Sequence, residues 1–171
     1  MVDDLIEELI RTGRDITDAE LRELRRLVSR VGFGPTATMK ASADMTGLSW
    51  QGKIIASNDW LPNDVRHYLR HVAAREEWPV NTMLDEYVRS LRDAILDQRG
   101  DICIDKYQST WQLTFFSRSG RWQGPGSGGW ILVGYNQGHG HWATGFQPLD
   151  GLGYRPPQFE RLERQWLQHP N

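Results

Sequence analysis

The chain of 171 residues has a single cysteine, Cys103. One thiol excludes an intramolecular disulfide framework and any cysteine-based zinc cluster. Its setting, Ile102-Cys103-Ile104, is an apolar alternation in which a thiol reads as buried and inert. Long apolar runs are also missing, and none approaches the ~20 residues that a membrane span needs. The chain begins Met1-Val2-Asp3-Asp4, acidic where a secretory leader is basic. The expectation is a cytoplasmic protein with no membrane partner. Net charge is small, −2, which argues against bulk electrostatic binding to DNA.

A further absence is local. From Lys106 to Leu149 there is no Asp or Glu, whereas residues 1–100 hold 17 of the 22 acids and 14 of the 20 basic residues. The acid-free stretch contains Trp111, Trp122, Trp130 and Trp142, Arg118 and Arg121, a glycine-rich run, and Gly138-His139-Gly140-His141-Trp142. Surfaces without acids do not repel phosphates, and aromatic faces stack on bases. Such a segment suits an anionic or flat ligand; a strand-rich core with uncharged turns has the same composition.

Residues 3–12 predict a helix with Leu5, Ile6, Leu9 and Ile10 on one stripe, stopped by Gly13. Thr17-Asp18-Ala19-Glu20 is a capping box opening a second helix, with Leu21, Leu24, Val28 and Val31 at helical spacing. Residues 1–32 therefore read as a helical hairpin docked on the rest, or as an arm that binds a protein partner through residues 3–31. Residues 36–171 read as one α+β domain. Within it, a helix near Pro62 buries Val65, Leu69, Val72 and Ala73, and another follows Thr82 with Leu84, Val88, Leu91 and Ile95 on one face. The period then changes to two. Strands are expected over 102–107, 110–117, 129–136 and 141–147, an antiparallel meander of about four strands. A helix with Phe159, Leu162 and Trp166 on one face closes the chain.

Strand alternation sorts candidate site residues. It places Ile131, Val133 and Tyr135 on one face and Trp142, Thr144 and Phe146 against the helices, leaving His141, Ala143 and Gly145 on an open face with Gln112 and Thr114. A slip of one residue inverts this assignment. His139 sits in a glycine-flanked turn beside His141, and two imidazoles can act as general base and general acid in one reaction. Arg118, Arg121 and Lys106 can supply charge to a developing phosphorane. Trp122, alone in a loop of Gly, Ser and Arg, is a candidate stacking contact. His67 and His71 are spaced i,i+4, but with no third ligand nearby they read as a polar helix face rather than a zinc site. The run at 124–129 lacks the Lys-Ser/Thr ending of a phosphate loop. No cofactor or metal is expected.

His67-Tyr68-Leu69-Arg70-His71, a second helix, a strand entry at Ile104-Asp105-Lys106 and the ending Trp142-Ala143-Thr144-Gly145-Phe146-Gln147-Pro148 form one layout. From about residue 67 to 148 it resembles the barnase–EndoU–colicin–RelE type of RNase domain found in phage and polymorphic toxins. The glycine-rich 118–129 insert, the N-terminal hairpin and the C-terminal element depart from that pattern. The resemblance implies metal-independent RNA cleavage: His71 or His141 as base, Lys106 or Arg70 as the stabilising cation, and Thr144 positioning or protonating. Arg70, Gln112, Arg118, Arg121, Trp122 and His139 would then contact RNA. Thr144 is needed on the open face in this reading and on the covered face by strand alternation. The alternative function is a non-catalytic module that binds a protein or single-stranded nucleic acid through the Trp-rich sheet face and the 118–129 loop.

Overall fold

The computed structural model describes residues 2–34, 63–107, 110–118, 129–148 and 159–168. Arg121, Trp122 and most of the 118–129 loop lie outside the described residues, as do residues 35–62. Among the described residues, four helical elements precede five strands: α1 (Val2–Thr12), α2 (Asp18–Val31), α3 (Asn63–Tyr68, continued by a π-helical turn Leu69–Ala74), α4 (Leu84–Leu96), β1 (Asp101–Tyr107), β2 (Thr110–Ser117), β3 (Ile131–Asn136), β4 (His141–Phe146) and β5 (Phe159–Gln168). The strands form one antiparallel sheet in the order β4-β3-β2-β1-β5. The architecture is α+β, helices first and sheet second.

Local chemistry explains the helix starts. The Thr17 hydroxyl accepts from the Glu20 amide at 3.1 Å, and Glu20 accepts from the Thr17 amide at 3.0 Å. Arg14 clamps the same carboxylate at 2.8 Å and, with the Thr17 amide, holds the Glu20 carboxyl down to about 2. Ile6, Leu24, Val28, Leu84, Leu91 and Ile95 meet Ile102, Ile104, Leu113, Phe115, Ile131 and Val133 in one apolar layer. Trp78 anchors it, its indole N–H donating to Ser90 Oγ at 3.1 Å. Arg25 crosses the layer to donate to the carbonyls of Ile95 and Gly100, and burial lowers its pKa to about 10.

Two expectations are corrected. The last element is a strand, not a helix. Its run of Glu, Arg and Gln favours a helix locally, but it completes the open edge of β1, with Arg164 opposite Asp105 and Trp166 opposite Cys103. The second correction is in β4. Gly134 pairs with Thr144 whereas Tyr135 pairs with Trp142, so Ala143 is an extra residue in a β-bulge. Trp142 points into the helix-side core, with its indole N–H on the Val28 carbonyl at 2.7 Å. Beyond the bulge the alternation inverts. Thr144 and Phe146 reach the opposite face, and Gly145 lies beneath Leu91, where an added Cβ would stand 2.3 Å from a Leu91 methyl.

Candidate active site

On the sheet face opposite α2 and α4, a cleft of about 500 Å³ opens between β2–β4 and the start of α3. Its floor is built from strand positions of one parity: Asp105 on β1, Gln112 and Thr114 on β2, Leu132 and Asn136 on β3, Thr144 and Phe146 on β4. His139 lines it from the β3–β4 turn, His141 from the start of β4, and Arg66, His67 and Arg70 from α3 and its π-helical continuation. Asp105 is the one carboxylate in this described lining. It is locked in place: Arg164 grips it through Nη2 at 2.8 Å, and the Thr114 hydroxyl donates to it at 3.3 Å. The Arg164 guanidinium is itself buried against Phe116 and Trp166. The cleft thus presents imidazoles and guanidiniums to a ligand, with its single acid already neutralised.

Three histidines meet here, two of them in defined tautomers. His141 Nδ1 donates to the Trp142 carbonyl at 2.9 Å, and His67 Nδ1 donates to the Asn63 carbonyl at 2.7 Å. In their neutral forms each therefore carries its lone pair on Nε2, the nitrogen able to accept a proton. The His139 and His141 rings stand 5.7 Å apart, edge to face. Gly34, at φ 99°, passes close against His141; a Cβ there would sit 3.1 Å from the imidazole, so a side chain would displace the ring. Gln112 is accommodated in a similar way. Its amide lies over Gly134, where an added Cβ would come within 2.2 Å of Nε2.

Behind the cleft, four rings stack in a row: Phe33 on His67 at 4.7 Å, His67 on His71 at 6.1 Å, and His71 on Phe146 at 5.1 Å. His71 is buried, with Nδ1 donating to Glu77 Oε2 at 2.8 Å, and the other Glu77 oxygen accepts the Gln147 amide at 2.7 Å. The π-helical turn makes this possible. Its i→i+5 bond from the Arg75 amide to the Arg70 carbonyl re-aims the residues after Tyr68.

The structure therefore brings Arg70, Gln112, His139, His141 and Thr144 into one cleft. It does not bring in His71, which sits behind Phe146 and is committed to Glu77, or Lys106, which shares the helix-side face with Ile102 and Ile104. Arg118 stacks on Trp130, at 4.9 Å from the ring centre, away from the cleft lining. His67, Arg66 and Asn63 were not singled out as site residues by sequence. Their only signal was the basic-histidine spacing, which a polar helix face shares. Trp111 and Trp142 pack into the helix-side core, so neither offers a stacking surface on the cleft face. Among the described residues no group of three or more His, Cys, Asp or Glu is arranged to hold a metal ion, and no helix is long and apolar enough to cross a membrane.

Burial pushes His67 down to about 4, with Arg66, Arg70 and His71 adding to the effect; burial also lowers His71, partly offset by its bond to Glu77. The His67 ring is neutral in the folded protein at pH 6 and the His71 ring is biased toward its neutral form, whereas the unfolded chain takes up protons near 6.5. The stabilisation is present above pH 6.5 and is lost as pH falls toward 4. The unfolding free energy from urea titrations is expected to decline between pH 6.5 and 5, by about 2 kcal/mol for His67 alone. His67→Gln should flatten that slope; an unchanged slope would assign the decline elsewhere.

No protein-family model matches the chain, and neither a curated protein nor a solved structure matches it.

Proposed function

We propose that the cleft cleaves RNA without a metal ion, by attack of a ribose 2′-hydroxyl on the adjacent phosphodiester. The carrying observation is the convergence of His67, His139 and His141 with Arg66, Arg70 and Thr144 around one cavity whose sole described carboxylate is neutralised by Arg164. The resemblance of residues 67–148 to toxin-type RNase domains implies the same chemistry. In this reading His141 Nε2 takes the proton of the 2′-hydroxyl, and the 2′-oxygen forms a bond to phosphorus. Arg70, exposed at the cleft, faces the charge that builds on the non-bridging oxygens, and the Thr144 hydroxyl donates to one of them. The bond to the 5′-oxygen breaks as protonated His139 supplies its proton. The products are a 2′,3′-cyclic phosphate and a 5′-hydroxyl end, and the next turnover needs only proton exchange between the two imidazoles and water.

Purified protein is expected to cleave structured RNA in the presence of EDTA and to leave DNA of the same sequence intact, because DNA lacks the nucleophile. His141→Ala and His139→Ala should each lower the rate by about 10²-fold or more. Arg70→Ala should weaken catalysis, while Lys106→Ala should leave it near wild type. If RNA survives, or if both histidine variants cleave as the wild type does, the proposed chemistry is wrong.

A further inference from the structure

Past Gln137, whose amide donates to the Trp111 carbonyl at 3.0 Å, the hairpin turn that carries His139 is weakly held by backbone bonds. The His139 and Gly140 amides share the Asn136 carbonyl at a long 3.3 Å, and Gly138 and Gly140, at φ 86° and 72°, have no atom within 4 Å of where a Cβ would stand. The firmest bond to the turn's tip comes from the other end of the chain. Asp3, in the first turn of α1, accepts the Gly138 amide on Oδ2 at 3.1 Å and the Tyr135 hydroxyl on Oδ1 at 3.0 Å. Helix α1 is a fixed support for that carboxylate, since Ile6 and Leu9 are fully buried.

We propose that Asp3 is a positioning residue for His139, and that α1 acts on the cleft through this one carboxylate. The inference rests on the reading of the cleft as an RNA-cleaving site. His141 has separate supports in Gly34 and its bond to the Trp142 carbonyl, so Asp3 governs His139 alone. An ionised carboxylate bridging a backbone amide and a phenol is stronger than a neutral contact at the same distances. It fixes a turn that its glycines would otherwise leave free to pivot.

The test is a mutant cycle between Asp3 and His139, read with a cleavable RNA oligonucleotide and by amide exchange at Gly138. Asp3→Ala should lower kcat about tenfold with KM little changed. Added to His139→Ala it should lower kcat no further, because a displaced imidazole and a missing one are equivalent. Asp3→Asn, which keeps one acceptor oxygen, should recover part of the loss. The Gly138 amide should exchange at least tenfold faster in Asp3→Ala, with core amides such as that of Ile104 unchanged. Multiplying losses in the double variant, or an unaltered Gly138 exchange rate, overturns the role of Asp3. A wild-type protein that leaves RNA intact removes the proposed function instead, and the exchange measurement still decides whether Asp3 holds the turn.

Discussion

Glu77→Ala is expected to destabilise the protein by about 3–5 kcal/mol, enough to unfold a large share of molecules of ordinary stability. The carboxylate is buried and saturated. One oxygen accepts the His71 imidazole at 2.8 Å and the other the Gln147 amide at 2.7 Å. Removing it strands two donors in a site closed to water, and an unsatisfied buried donor costs about 1–3 kcal/mol. It also frees the ring that supports Phe146, which lines the cleft, from its only described hydrogen bond. Glu77→Gln is the informative companion. Its carbonyl oxygen can still accept the Gln147 amide, so its loss should be near half that of alanine. Denaturant midpoints of the two variants check both values; a Glu77→Ala midpoint within error of wild type would mean that the pair contributes nothing to stability.

The second large effect is expected at Asp105. Arg164 holds this carboxylate from β5, both side chains are nearly inaccessible, and Phe116 and Trp166 bracket the guanidinium. Asp105→Ala takes from a buried guanidinium the carboxylate that it grips, a loss of about 3–5 kcal/mol. Replacing both partners with apolar residues, Asp105→Leu with Arg164→Met, should recover most of that, because the desolvation of both ions disappears with them. The recovered double variant would keep the fold and lose the charged floor of the cleft. Thermal melts of the single and double variants separate these contributions; a double variant as unstable as Asp105→Ala would show that shape, not charge, holds β5 to β1.

Much of the fold was legible because period is a local property. The capping box at Thr17, the stripe through Leu84, Leu91 and Ile95, and four strands close to their observed bounds were all written in short-range spacing. What escaped was non-local or depended on a single inserted residue. β5 has a composition suited to a helix, yet it pairs with the edge of β1, with Arg164 opposite Asp105, a partner 59 positions away. The bulge at Ala143 has no sequence signature, yet it decides which face Thr144 occupies. The structure places that hydroxyl in the cleft lining, which strand alternation alone does not. Among the residues that line the cleft, Arg70, Gln112, His139 and His141 were readable from chemistry and position. His67 was not, since its partner in the stack, Phe33, comes from 34 positions earlier in the chain.

The bulge in β4 also divides the strand's tolerance to change into two kinds. Substituting Ala143 alters one half-buried side chain. Deleting it would remove the bulge and make Thr144 the direct successor of Trp142 in a regular ladder, so Thr144 and Phe146 would keep the cleft face and Gly145 its place under Leu91. The strand can therefore exchange or lose a residue at this point, whereas one residue gained or lost between Thr144 and Phe146 would turn Phe146 under the helices, and the cleft inherits that arithmetic of odd and even.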